Sequence, residues 1–578
     1  MKTFDGILDE IGGMGRYQIL AIFLLALIEI PSAFHNINYV YIGAKQDHFC
    51  APSAELSAFN LTKDELRNYT IPYEVKDGTR EYMNCGQYRR NYSSIGKNDV
   101  QLWLDEYIKE NFTQPDDLPI EECSGWLYDT SIYQTTIISE WDLVCNDRVL
   151  GPTTQSIYMA GRLFGSIICG YLSDRYGRKI MVFVTLVTHL VIAIGSAYSP
   201  NYIVFAISRF LIAFLFSGLV TALTIWILEI VGKKWRVTAA IMFFNGFAVG
   251  QMVLGGIGYG VRTWRGVQLA SSCPMAIFLV YMFIFPESPR WLFSKGRVKD
   301  GIKVVETMAK VNGVKLEKSL EQEMSLLDTK ADPLEDDVTE KPEHLVHEPK
   351  LTDLFLTTYL RRSTLIFSFV WFATAFVYYG LSLNTGNIGG DPYINQIISG
   401  CMDILGNTLV IFITMKIGRR LPMAGFLFVA GVALLLISAV PKDRKSLEYV
   451  IIAFAMTGKL AIAAAFNIVW IYTPEAYPTF LRAYATGTGS AVARIGSTIA
   501  PYVLLLGGAT NKSVPMVLFG AVSALAGVAT LWLPETRDSD LLETIDDAET
   551  LNSQQYRKMH FRRCCKRTTE SEEGQVDA

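Results

Sequence analysis

The sequence predicts an all-α membrane protein of twelve transmembrane helices, built as two six-helix bundles with a disulfide-bonded extracellular loop domain after the first helix. Three observations predict it. The chain has 578 residues, 50% of them hydrophobic, and a mean hydropathy of +0.25, which is too apolar for an ordinary soluble protein of that length. Apolar runs of about 20 residues, long enough to cross the hydrocarbon core, recur near 19–42, 149–173, 180–199, 201–228, 237–260, 266–286, 362–383, 394–415, 421–440, 448–471, 482–506 and 514–533. The last six repeat the landmarks of the first six at an offset of roughly 245 residues. Gly177–Arg178–Lys179 is answered by Gly418–Arg419–Arg420, Glu229 with Arg236 by Glu475 with Arg482, and Pro286–Glu287–Ser288 by Pro534–Glu535–Thr536. Two parallel copies of a helical bundle describe a protein that rocks about a site between them.

The elements follow in order. Residues 1–18 form a polar N-terminus holding Asp5, Asp9, Glu10 and Arg16. The apolar run behind it is too long for the core of a cleavable signal, so the first helix is expected to stay as an anchor. The N-terminal bundle spans 19–286 and includes the extracellular domain 44–148, a linker covers 287–361, the C-terminal bundle covers 362–533, and 534–578 form a tail. Within the linker, helical periodicity runs from Ser294 to Leu327, and Thr329 to Lys350 reads as a flexible acidic stretch.

Charge sets the orientation. Basic clusters at Arg175/Arg178/Lys179, Lys233/Lys234/Arg236, Arg290/Lys295/Arg297 and Lys416/Arg419/Arg420 fall on one side, which is therefore cytoplasmic. Lys442, Arg444 and Lys445 are the exception. Both termini are then cytoplasmic and the protein is expected in the plasma membrane. Cys50, Cys85, Cys123 and Cys145 fall in the segment placed outside, where two disulfides are expected with three pairings open. The same segment carries four glycosylation sequons, at Asn60, Asn68, Asn91 and Asn111. Cys564 and Cys565 in the basic tail are either free thiols or acylation sites.

Several classes are excluded. No nucleotide fingerprint, nucleophile–base pair or metal-spaced cluster occurs in the spans, so no catalytic residue, metal or cofactor is expected, and no nucleic-acid partner. The expected partners are membrane lipid, a small organic ion and a coupling ion, Na+ or H+.

The loop from Gly170 to Lys179 reads GYLSDRYGRK. Its glycines allow a tight turn, and Asp174, Arg175 and Arg178 can pair with neighbouring helices, so that breaking the pair frees the halves to move. This run resembles the gating motif of the major facilitator superfamily. Thr414 replaces the acid in the second copy, which makes the lock asymmetric. Glu229, Arg236, Glu475 and Arg482 at helix ends are expected to pair with the Arg178 and Arg419 regions when the cytoplasmic side is closed.

The runs CSGWLYD at Cys123–Asp129, EWDLVC at Glu140–Cys145, PESPRWL at Pro286–Leu292 and TPEAYPTFLR at Thr473–Arg482 resemble solute carrier family 22, the organic cation, organic anion and carnitine transporters. The resemblance covers nearly the whole chain. It implies secondary transport by alternating access, and it gives weight to ionisable residues within spans, which are costly there: Glu29, Arg162, Arg209, Asp403, Lys459 and Arg494. Arg494 matches the arginine of anion and carnitine transporters, and a guanidinium in a low-dielectric cavity favours carboxylates. Asp403 matches an acidic position of the cation transporters, while Asn407 stands where anion transporters have lysine. An acid and a base facing one cavity without that second base suit a zwitterion of the carnitine type. Trp371, Tyr378, Phe466 and Trp470 would form an aromatic wall able to hold quaternary ammonium, with Phe247, Gln251 and Asn36 beside it. The competing reading of Asp403 is that it neutralises Arg494 or Lys459 when no substrate is bound. An organic anion exchanger resting on Arg494, with Asp403 as its structural partner, is the alternative. A cation transporter and a transporter-like receptor follow.

Overall fold

The computed structural model of the chain describes residues 4–52, 62–76, 79–89, 118–315, 350–441, 447–511 and 513–537, with isolated positions at 102 and between 542 and 550. Its long helices are α1 (Arg16–Ile37), α2 (Leu150–Tyr176), α3 (Arg178–Ser196), α4 (Tyr202–Ile230), α5 (Arg236–Gly260), α6 (Trp264–Ile284), α7 (Thr358–Leu383), α8 (Pro392–Ile417), α9 (Arg420–Ala439), α10 (Glu448–Glu475), α11 (Arg482–Ala509) and α12 (Val514–Thr530). Among the described residues, 10 helical segments are long and apolar enough to cross a membrane. The remaining two have local reasons: α2 carries Arg162, Asp174 and Arg175, and α12 has only 17 residues.

Side-chain caps set several helix starts. Asn201 accepts from the backbone N–H of Val204, Thr357 from that of Leu360, and Asp391 from those of Tyr393 and Ile394, each satisfying a donor that the helix leaves unpaired. The α2–α3 and α8–α9 turns each pivot on a glycine at φ 106°, Gly177 and Gly418, a conformation that a side chain would strain. Within each bundle helices touch backbone to backbone. A Cβ at Gly246 or Gly250 of α5 would collide with a carbonyl of α1, and one at Gly161 or Gly165 of α2 with a carbonyl of α4. Small residues at such crossings give the tight van der Waals contact that drives association in lipid.

The two halves meet along α2–α11 and α5–α8. Ser156 donates to the Thr498 carbonyl at 2.7 Å and Thr153 lies 3.1 Å from the Tyr502 hydroxyl. Tyr393 of α8 stacks on Tyr41, and its hydroxyl donates to the Ile132 carbonyl at 3.1 Å. Deeper in the membrane, Asn407 donates to Asn245 at 2.8 Å. These contacts run from the loop-domain end to the midplane.

The loop domain contains three two-stranded antiparallel ribbons: His48–Cys50 with Trp126–Tyr128, Tyr73–Lys76 with Thr79–Tyr82, and Gly86–Tyr88 with Ile120–Glu122. Its disulfides are Cys50–Cys123 and Cys85–Cys145. The domain is fastened to the N-terminal bundle: Trp264 and Arg265 of α6 donate to Glu140 at 3.4 and 2.7 Å. Hydrogen bonds from Arg265 hold the Glu140 carboxyl below its usual range despite partial burial. Asn68 lies on the helix Lys63–Thr70 and accepts from the Tyr82 hydroxyl. Asn60, Asn91, Asn111, Lys442, Arg444, Lys445, Cys564 and Cys565 lie outside the described residues.

The linker differs from the continuous periodicity of its sequence. It begins with the short helix Pro289–Ser294, capped by Ser288, followed by Val298–Asn312, which stops at Gly313 in the left-handed conformation; positions 316–349 lie outside the described residues. Asn312 then reaches back to α1, accepting from the Tyr17 N–H at 2.9 Å and donating to the Ile11 carbonyl at 2.7 Å.

Peptide mapping of the unreduced protein should recover Cys50 linked to Cys123 and Cys85 linked to Cys145, with neither alternative pairing. Removal of either bridge should lower the loop domain's stability by about 2–4 kcal/mol, read as earlier proteolysis of the segment between α1 and α2.

Candidate functional site

Two charged clusters lie on either side of Tyr378 and Tyr379, consecutive residues of α7 whose rings meet edge to face at 5.4 Å. The first is built on Asp403 of α8. Lys459 of α10 stands 3.3 Å from its Oδ1, with both side chains almost fully buried. Tyr378 donates to Asp403 Oδ2 at 2.8 Å, and Gln251 of α5 donates to the same oxygen at 2.5 Å and to the Tyr378 hydroxyl at 3.1 Å. The Lys459 ammonium also donates to Ser382 at 2.6 Å and sits 3.4 Å over the Tyr378 ring. A buried carboxylate is thus matched by one ammonium, two hydrogen bonds and an aromatic face, which compensates the cost of taking both charges out of water.

The second cluster has no such match. Arg162 of α2 donates to the Tyr379 hydroxyl at 2.6 Å and to Asn36 of α1 at 3.2 Å, and packs over the Phe216 ring. Arg494 of α11 lies within electrostatic reach of the Tyr379 hydroxyl and of Arg162, whose like charge repels it. The Nε atoms of both guanidiniums are buried without a partner. Among the described residues no carboxylate lies within ion-pair distance of either. Arg494 is half-buried and Arg162 buried. Two cations with unused donors and no carboxylate partner among the described residues can accept an anion.

The aromatic residues converge beside these clusters. Trp371 meets Trp470 at 4.7 Å and Phe466 at 6.1 Å, Phe466 meets Tyr378 at 5.6 Å, and the Trp371 indole donates to Thr473 at 3.0 Å. Asn36 and Gln251 each join one charged cluster. Phe247 does not: it packs against the apolar cluster at the loop-domain end.

Of the partners open to Asp403, the structure pairs it with Lys459 of α10, while Arg494 lies near Arg162. Asn407, where a lysine was the family comparison, instead joins Asn245 and Asn467 at 2.8 and 2.5 Å. Tyr379 was missed altogether. Its only signal was its place next to Tyr378, since consecutive helical residues reach different neighbours.

At the opposite end from the loop domain, each bundle carries a charge cluster of the same design. Arg178 pairs with Asp174 at 2.8 Å and grips Glu229 with two bonds, at 2.8 and 3.1 Å. Glu287 accepts the backbone N–H groups of Arg178, Lys179 and Ser288 at 3.0, 3.2 and 2.8 Å, a carboxylate on the positive end of α3. Burial pushes the Glu287 carboxyl up, and these N–H groups and Arg178 oppose it. In the second half Arg419 pairs with Glu475 at 2.9 Å, and Glu535 accepts from the N–H groups of Arg419 and Arg420 at 2.8 and 3.1 Å.

All of these bonds lie inside one bundle. Glu229 thus meets Arg178 and Glu475 meets Arg419, and the clusters tie each bundle's own helices together. Arg236 pairs with Asp5 of the N-terminal helix Phe4–Glu10 at 2.5 Å, and Arg482 donates to the carbonyls of Tyr477 and Leu542, each at 3.2 Å. Arg175 is exposed, over the Tyr176 ring.

Lys459→Met should lower the thermal stability of the solubilised protein by about 3–5 kcal/mol by leaving Asp403 buried and unpaired. Asp403→Asn in the same chain should restore most of that loss. Equal cost with and without Asp403 would show that the pair is not the reason.

Comparison with known proteins places the chain. The family described as "Sugar (and other) transporter" matches residues 119–547. The organic cation transporter protein of Drosophila melanogaster is 35% identical over 551 residues, 94% of this chain and 94% of its own length. Solute carrier family 22 member 6-B of Xenopus laevis is 35% identical over 96% of each chain, and member 13 of Homo sapiens 32% identical over 95% and 94%. In fold, the partially occluded inward-open xylose transporter XylE from E. coli superposes with a TM-score of 0.57, at 14% identity, covering 91% of this chain and 100% of that one. The chain therefore belongs to solute carrier family 22, within the major facilitator superfamily: a multi-pass membrane transporter of organic ions.

Proposed function

We propose that the chain is a plasma-membrane secondary transporter, both termini cytoplasmic, that moves small carboxylate-bearing organic ions by alternating access. The observation that carries this reading is the Arg162–Arg494 pair, two cations beside Tyr379 with no acid in ion-pair range among the described residues. A substrate carboxylate placed there supplies the missing charge and takes up unused guanidinium donors, while its apolar part lies against Trp371, Phe466 and Trp470. The first expectation is therefore an organic anion.

A zwitterion of the carnitine type is the second reading, and one observation favours it. The Lys459 ammonium already occupies a place between the Asp403 carboxylate and the Tyr378 ring, which is the environment that a substrate ammonium would need. Such a substrate would displace Lys459 while its carboxylate sits on the arginines. The bundles then rock as units, each held by its own Arg178 or Arg419 cluster.

Uptake of labelled glutarate, carnitine and tetraethylammonium by cells expressing the chain distinguishes these readings. Glutarate uptake should fall about 10–100-fold in Arg494→Ala, the equivalent of one charge-assisted bond of about 1.5–3 kcal/mol, and should survive in Asp403→Asn. Carnitine uptake lost in both variants would establish the zwitterion. Tetraethylammonium uptake indifferent to Arg494→Ala would contradict both, and binding without flux would mark a receptor.

A further inference from the structure

Glu29 is a charged residue of the spans that neither the substrate cluster nor the bundle-end clusters use. It lies in the middle of α1, two residues before Pro31, and is 1% exposed. Its Oε1 is buried without a hydrogen-bond partner, and no ion pair to it occurs among the described residues. α5 seals it: a Cβ at Gly246 would stand 3.0 Å from the Glu29 Cβ. The Arg162 guanidinium of α2 reaches the same helix at Asn36, seven residues or about 10 Å along α1 from Glu29.

The helices packed on α1 bring nothing else to it. Arg209 of α4 is engaged by Asn38, the His35 carbonyl and Gln155 at 3.0, 3.2 and 3.0 Å. His35 lies near Ser272 of α6, at 3.3 Å, and near His189 of α3. The ionisable ends of α5 are Arg236, which pairs with Asp5, and Tyr259, which meets Tyr393. Glu229 of α4 pairs with Arg178, and Cys273 of α6 is exposed. The N-terminal part of α1 contributes Arg16 and Tyr17 at the far end of the helix.

A buried carboxyl with neither cation nor donor against it is stable in its neutral form, because the ionised form would lack water and partners alike. We propose that Glu29 is the proton-carrying residue of this transporter and that it couples an inward proton to substrate through Arg162. An empty Arg162 favours the ionised Glu29 by attraction. A substrate carboxylate on Arg162 cancels that attraction and so favours the protonated side chain. Substrate and proton thereby strengthen each other's binding, by the same factor in each direction. When the substrate leaves on the other side, Arg162 is uncovered and Glu29 releases the proton there. One proton travels with one substrate; the only bond made and broken is the O–H of the Glu29 carboxyl, formed with a proton from outside and broken when that proton is released inside.

The coupling rests on the reading that carboxylates bind at Arg162, so the test has an arm independent of it. Infrared spectroscopy of the purified full-length protein without substrate, titrated to mildly acid pH, should show the C=O stretch of a protonated carboxyl that disappears in Glu29→Gln. In proteoliposomes, an acid exterior should raise labelled glutarate uptake several-fold over equal pH. Glu29→Gln should abolish that stimulation yet retain glutarate counterflow at equal pH, and Glu29→Asp should recover it.

Stimulation that persists in Glu29→Gln, or a sodium gradient replacing the pH gradient, would overturn the proposal, as would an infrared band unchanged in Glu29→Gln. A wild-type protein without counterflow but with the Glu29 band would reject the substrate reading and leave the proton site standing.

Discussion

Charge compensation in a medium that cannot solvate charge is the constraint on which the centre of this protein depends. A carboxylate or ammonium removed from water costs several kcal/mol unless a partner and hydrogen bonds replace the solvent. Asp403 and Lys459 meet that requirement for each other, with Tyr378, Gln251 and Ser382 completing the shell. Arg162 and Arg494 do not meet it. They share Tyr379 and face one another with like charge. The candidate site is thus satisfied on one side and deficient by negative charge on the other, and that deficit is what the proposed substrate carboxylate would fill.

Motion has to leave this arrangement intact within each half while changing it between halves. Each bundle is made rigid at one end by an arginine that binds an acid from another of its helices, Arg178 with Glu229 and Arg419 with Glu475. A second acid, Glu287 or Glu535, seats on the N-terminus of the next helix. The seam between the bundles is made differently. Toward the loop-domain end it is made of neutral hydrogen bonds and stacked tyrosines, such as Ser156 to Thr498 and Tyr41 on Tyr393, which net about 0.5–1.5 kcal/mol apiece. At the candidate site it also carries charge-assisted bonds, from Gln251 to the Asp403 carboxylate and from Arg162 to the Tyr379 hydroxyl. In the proposed rocking motion these are the bonds between the halves that a bound substrate would alter.

The architecture was legible because lipid imposes a coarse rule on sequence. Length and apolarity mark the spans, and the repeated landmarks mark the halves. The two helices that fall short of the rule, α2 and α12, do so because one carries Arg162 into the site and the other is short. Ionisable residues within spans were legible for the same reason. Their pairing was not, because it depends on which helix faces which. Arg494 and Lys459 were both open partners for Asp403, and nothing in the local sequence of α10 says that Lys459 is the one that lies against it. Tyr379 was hidden by Tyr378, and the disulfide pairing by the equal chemical plausibility of three connectivities. The bundle-end arginines were recognisable from their motifs, but whether they bridge one bundle or two is a matter of packing.

The deficit of negative charge at Arg162 and Arg494 is the central claim, and binding tests it without any flux. The purified protein should be titrated calorimetrically with hydrocinnamate and with its neutral primary amide, in wild type and in Arg162→Gln. The account predicts that wild type binds the carboxylate at least about tenfold more tightly than the amide, a difference of about 1.4 kcal/mol, and that Arg162→Gln narrows it. Equal affinity for the two ligands in wild type, or a carboxylate preference unchanged in Arg162→Gln, would contradict it.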